Sequence, residues 1–143
     1  MISIPLPDRN ITRYIPQREP IIMVDELMES NSISTVTAFE IKEKGIFVKD
    51  GKLQEPGLIE NIAQTAAAGA GYRFALHQES VPPGFIAAIK NLRIEALPLV
   101  GESLITKVEI LEKVFDITLI KGEIVVANQC IAVCEMKIVQ KRD

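Results

Sequence analysis

The sequence predicts an α+β fold in which one long central helix is wrapped by a curved antiparallel β-sheet, and three observations carry that prediction. An alanine-rich run from about Pro56 to about His77 is apolar or small nearly all the way round, the mark of a helix buried on several sides. β-Branched, alternating runs stand on both sides of it, two before and three or four after. One helix covers that many strands only if the sheet curls around it.

Taken in order, Asp8 to Pro20 is polar and broken by Pro16 and Pro20, which suits an irregular or briefly helical cap. IIMVDELMES and NSISTVTAFEIKEK read as two strands joined at Asn31-Ser32, the second placing Ile33, Thr35, Thr37, Phe39 and Ile41 on one face. In the helix, Pro56 suits the first position and the alanines are strong helix formers. Gly69 and Gly71 each cost about 1 kcal/mol against alanine there, so close approach to the sheet is expected to require them. After Pro82-Pro83-Gly84 come strands through FIAAIKNLRIEALPL, ESLITKVEILEKV and FDITLI, then a turn at Lys121-Gly122, then EIVVANQCIAVCEMKIVQ. In the last run Cys130, Ala132, Cys134, Met136 and Ile138 are expected on the core face, with Glu135 and Lys137 opposite.

The 143 residues, 48% hydrophobic and 24% charged, suit one folded domain over residues 1–143 without a disordered tail. A net charge of −3 supplies no general attraction for nucleic acid or an anionic membrane. MISIPLPDRN lacks the apolar stretch of a secretory signal, so a cytoplasmic protein is expected. Leu58 to Leu76 is about long enough to span a membrane but carries Glu60, Asn61, Gln64 and Arg73, which argues against it. Cys130 and Cys134 would lie about 13 Å apart on a strand, too far for a disulfide. With His77 as the only histidine, no metal site and no cofactor are expected.

Two stretches carry a resemblance. YIPQREPIIMVDEL is similar to the entry motif of the β-hydroxyacyl-acyl-carrier-protein dehydratases, L-P-H-R-x-P followed by V-D-R: Pro16, Arg18, Pro20, Val24 and Asp25 match, and Gln17 takes the histidine position. IENIAQTAAA resembles that family's E-A-M-A-Q helix through Glu60, Ala63 and Gln64, and Val100-Gly101-Glu102 resembles its P-G-D turn. The EPGLIENIAQTAAA form looks most like a divergent dehydratase-like branch associated with aryl-polyene chains. The resemblance implies the hotdog fold, binding of acyl-carrier-protein or coenzyme A thioesters in lipid or polyene biosynthesis, and a homodimer or a heterodimer with a related hotdog subunit.

Dehydrating a 3-hydroxyacyl thioester takes a base at C2 and an acid for the departing hydroxyl. The resemblance implies a loop histidine from G-H-F-P-G and a helix glutamate, contributed by different protomers. Glu60 takes the glutamate position, while Gly45-Ile46-Phe47 resembles G-H-F with Ile46 in place of the histidine. His77 lies about 25 Å further along the helix from Glu60, and Glu43, Asp50 and Glu55 read as solvated loop charges. An isolated carboxylate on a buried helix must be paired, hydrated at a cavity or shifted in pKa, which singles out Glu60 as the catalytic candidate.

Around Glu60, the expected substrate-binding residues are Ile46, Phe47, Pro56, Gly57, Leu58 and Gln64. Gln64 lies one turn from Glu60, and free amides at Gly57 and Leu58 would suit an oxyanion hole. Arg18, Arg73, Lys90 and Arg93 are candidates for a basic patch facing an acidic carrier protein. The expected function is an acyl-thioester-binding, dehydratase-like protein, weak or inactive alone. The alternatives are an active dehydratase with another base and a hotdog thioesterase using Glu60 to activate water. Pairing through the strand edge FIAAIKNLRI is expected to form the dimer.

Overall fold

The computed structural model describes residues 1–141. A 3-10 turn at Ile11–Arg13 precedes β1 (Glu26–Ser30) and β2 (Ser34–Glu40). A small hairpin of β3 (Val48–Lys49) and β4 (Lys52–Leu53) leads into α1 (Glu55–Leu76). Four long strands follow: β5 (Gly84–Ile94), β6 (Ser103–Val114), β7 (Ile117–Val126) and β8 (Gln129–Gln140). Six strands make one antiparallel sheet in the order β1-β2-β6-β7-β8-β5.

Helix α1 contacts β2, β6 and β7 in the middle of the sheet and also β1 and β5 at its two edges. Six flat strands at about 4.8 Å spacing would span roughly 24 Å, and a helix is about 10 Å across. Contact with both edges therefore requires a curved sheet, and a long helix wrapped by a curved antiparallel sheet is the hotdog fold. Leu58 and Ile62 of α1 pack on Leu104, Ile120, Ile124 and Met136 of the sheet in the main core. A smaller core of Tyr14, Ile15, Val24, Leu27 and Ala68 lies under the N-terminal segment.

Glycines explain the closest approaches. A Cβ on Gly69 would lie 2.2 Å from Thr35 Oγ1 on β2, as sheet contact requires. At Gly71 the neighbour is instead the Tyr14 backbone, with its carbonyl oxygen 2.0 Å from an added Cβ, so this glycine admits the N-terminal segment rather than the sheet. Gly122 is not in a turn: β7 runs straight through it, and an added Cβ would meet Ile62 Cγ2 at 2.4 Å. The hairpin turn lies at Ala127-Asn128, both at positive φ, where the two-residue connection follows the twist of the flanking strands.

Two further expectations are corrected by local geometry. Ile33 precedes β2 and is 60% exposed, while Thr35, Thr37, Phe39 and Ile41 face the core. Cys130 does not share the core face with Cys134. The ladder steps from Ile124↔Ala132 to Val125↔Cys130, so Ile131 is an extra residue on β8 and the bulge turns Cys130 outward. Among the described residues no helix is long and apolar enough to cross a membrane.

Candidate functional site: a groove over the outer face of the helix

The helical period gives α1 two different faces. Asn61, Ile62, Thr65, Ala68 and Gly69 are buried, whereas Glu60, Ala63, Ala66, Ala67, Ala70 and Phe74 are only partly covered. These partly covered residues floor a groove of about 650 Å³. Arg13 to Gln17 form one wall, and Ser80 to Ile86 with Val108, Ile110 and Ile138 form the other.

Glu60 stands on this floor and is held by its neighbour. Gln64 Nε2 donates to Glu60 Oε1 at 2.9 Å and to the Ile21 carbonyl at 2.9 Å. The Met23 N–H donates to Gln64 Oε1 at 2.6 Å, which fixes which end of the amide faces Glu60. Among the described residues nothing donates to Glu60 Oε2, so that oxygen is left for the groove. On the buried side, Asn61 Nδ2 donates to the Met23 carbonyl at 2.7 Å and Asn61 Oδ1 accepts from Thr106 at 2.6 Å. Thr65 donates to the Asn61 carbonyl, so the bond between Thr37 and Thr65 runs from the Thr37 hydroxyl.

The remaining expected site residues are not gathered around Glu60 within the chain. Ile46 is 49% exposed on the loop before β3, and Pro56 is exposed. Phe47 and Leu58 pack into the main core, and Gly57 fits beneath Phe47 and Leu53, whose atoms an added Cβ would meet at 2.9 and 2.6 Å. None of these five lines the groove. The amides of Gly57 and Leu58 are not free, because both donate to the Gln54 carbonyl, at 2.9 and 3.3 Å, in the first turn of the helix. Gln54 also ties the loop to the helix by donating its Nε2 to the Lys49 and Lys52 carbonyls. His77 is the exposed C-cap of α1.

Of the four expected basic residues, only Arg73 lines the groove, together with Arg13 and Lys113. Arg18 is spent on the Ile15 and Gln17 carbonyls at 2.8 Å each, Arg93 pairs with Glu95 at 3.4 Å, and Lys90 is exposed on β5. Burial pulls the Arg73 guanidinium below the ordinary arginine pKa. Gln17, which takes the motif's histidine position, is a further groove residue whose signal in the sequence is that position alone. Gln17 lines the groove, and its Oε1 is the only buried side-chain oxygen among the described residues with no donor.

A sequence model of the ApeP-like family, described as ApeP dehydratase, matches residues 9–143. No curated protein sequence matches the chain. Among solved structures, the chain is similar to the dehydratase heterocomplex ApeI:P from Xenorhabdus doucetiae, with a TM-score of 0.86 and 18% identity over 98% of this chain and 94% of that one. It also resembles an uncharacterised protein from Pyrococcus horikoshii, with a TM-score of 0.71 and 12% identity over 99% and 97% of the two chains. A hypothetical thioesterase solved with coenzyme A, from Streptococcus pneumoniae TIGR4, aligns with a TM-score of 0.67 and 8% identity over 81% and 84%.

Proposed function

This chain belongs to the ApeP-like dehydratase family, and from that membership we propose that it is an acyl-thioester-binding dehydratase subunit supplying Glu60 as one half of an acid/base site. The observation that carries this reading is the placement of Glu60: it faces an open groove, with one oxygen held by Gln64 and the other without a donor among the described residues. Glu60 is only partly covered, so its second oxygen is open to a substrate lying in the groove.

Dehydration removes a proton from C2 while the C3 hydroxyl leaves as water and the C2–C3 double bond forms, so a base and an acid must flank the substrate. Here the loop presents Ile46, and the only imidazole caps the far end of the helix. The second group therefore comes from a partner subunit of the same fold whose loop carries a histidine, and the chain alone is weak or inactive. One surface suits such a partner: β5 is an edge strand with Phe85, Ile89 and Leu92 exposed. The Xenorhabdus structure described as a dehydratase heterocomplex supports assembly with an unlike subunit.

The test uses 3-hydroxyacyl and enoyl carrier-protein substrates, with the chain alone and with a histidine-bearing hotdog partner. The expected result is turnover only in the complex, falling by roughly 10²–10⁴-fold in Glu60→Ala. Turnover by the chain alone that vanishes in Glu60→Ala would overturn the half-site reading in favour of a different base. Free thiol released without enoyl product would make the protein a thioesterase. Ile46→His is expected to raise activity of the chain alone.

A further inference from the structure

The distal end of the groove carries a cation, Arg73, that no carboxylate neutralises among the described residues. Arg73 is partly buried in the last turns of α1, and its guanidinium makes one long hydrogen bond, 3.3 Å to the Asn31 carbonyl. Among the described residues neither Arg73 nor Lys113 has a carboxylate within ion-pair distance. Gly69 makes room for this arrangement, since a Cβ there would sit 3.3 Å from Arg73 Nη1 as well as against Thr35. Removing a guanidinium from water is costly unless an anion meets it, and an arginine fork matches a phosphate in two hydrogen bonds. Glu79 also lines the groove, but it is exposed beyond the helix end and pairs with neither cation.

Resting on the thioester reading above, we infer that Arg73, aided by Lys113, binds the phosphate of the phosphopantetheine arm that carries the acyl thioester. The spacing agrees with that occupant. Thirteen residues separate Glu60 from Arg73, about 20 Å along the helix axis. A phosphopantetheine arm has thirteen bonds from phosphorus to sulfur, and at the advance per bond of an extended chain it spans roughly 16 Å. With the thioester beside Glu60, its phosphate falls within reach of the Arg73 side chain, and the amide-bearing arm lies over the alanines between.

The test compares non-hydrolysable acyl-pantetheine, acyl-phosphopantetheine and acyl-coenzyme A analogues, titrated by calorimetry against the full chain in its solution assembly. The phosphorylated arm is expected to bind about tenfold more tightly than the unphosphorylated one, the scale of one charge-assisted contact. Arg73→Met should erase that advantage without altering affinity for acyl-pantetheine, and Arg73→Lys should keep part of it. Equal affinity of the wild-type protein for the two arms would overturn the Arg73 assignment and leave the thioester reading standing. The assignment also fails if Arg73→Met weakens both equally, or if dependence on Arg73 appears only with the coenzyme A analogue, whose nucleotide would then be the contact. If none of the three binds, the thioester reading falls and the assignment with it.

Discussion

On its inner face α1 presents Asn61, Thr65 and Gly69 to the sheet, and among the described residues every buried side-chain polar atom there finds a partner. On its outer face the same helix presents Glu60, four alanines and Phe74 to an open groove, where among the described residues one Glu60 oxygen has no donor and the Arg73 guanidinium has no carboxylate partner. Polar groups on a buried face are costly unless fully satisfied, and once satisfied they specify a single register between helix and sheet. Alanines contribute little contact of their own, so the chain folds without a cover over the outer face. That face is left for something else to bind.

The strongest way to break this contrast is at Asn61. Asn61→Leu keeps the branching and number of side-chain heavy atoms but leaves the Met23 carbonyl and the Thr106 hydroxyl buried without a partner. Loss of about 3 kcal/mol in urea unfolding is expected, against less than about 0.5 kcal/mol for Glu60→Gln on the other face. A comparable loss from the two variants would mean that the groove face is as structural as the sheet face.

A smaller effect is expected from Ala70→Gln, which lengthens a side chain in the middle of the groove floor. Stability of the chain should change by less than about 0.5 kcal/mol, while affinity for the acyl-phosphopantetheine analogue weakens about tenfold in calorimetry. Unchanged affinity would show that the arm does not cross the groove floor.

The contrast was only half legible in the sequence. The helix, its length and its all-round apolar character followed from the alanines and from Pro56, because these act through local propensity. Glu60 stood out because a lone charge in such a run demands a reason. The groove itself did not follow, because its walls are brought together by the sheet's curvature and by the Arg13 to Gln17 segment, both far away in sequence. Gly122 is deceptive for the same reason: a glycine beside lysine signals a turn locally, and only the fold reveals Ile62 pressed against it. The Gly57 and Leu58 amides looked open because helix starts leave amides free, yet Gln54 sits where its carbonyl takes both.

The finest division between inside and outside is in the two cysteines. Cys134 is buried in the main core among the residues that meet the inner face of α1, and burial pushes its thiol up to about 11, with the nearby Glu135 carboxylate adding to the shift. Cys130, four residues away, is turned out by the bulge at Ile131. A thiol-reactive dye at pH 8 should therefore label Cys130 quickly and Cys134 only as fast as the core opens, so that Asn61→Leu accelerates the slow phase and leaves the fast one unchanged. The raised thiol also sets a direction with pH. Cys134 ionises more easily in the unfolded chain, at about 8.5, than in the fold, at about 11. Its contribution to stability is thus intact below the first value and declines as pH rises through the second. Cys134→Ala should flatten that alkaline decline, and equal labelling rates for the two thiols would mean that the face of β8 toward the helix is no more closed than its outer one.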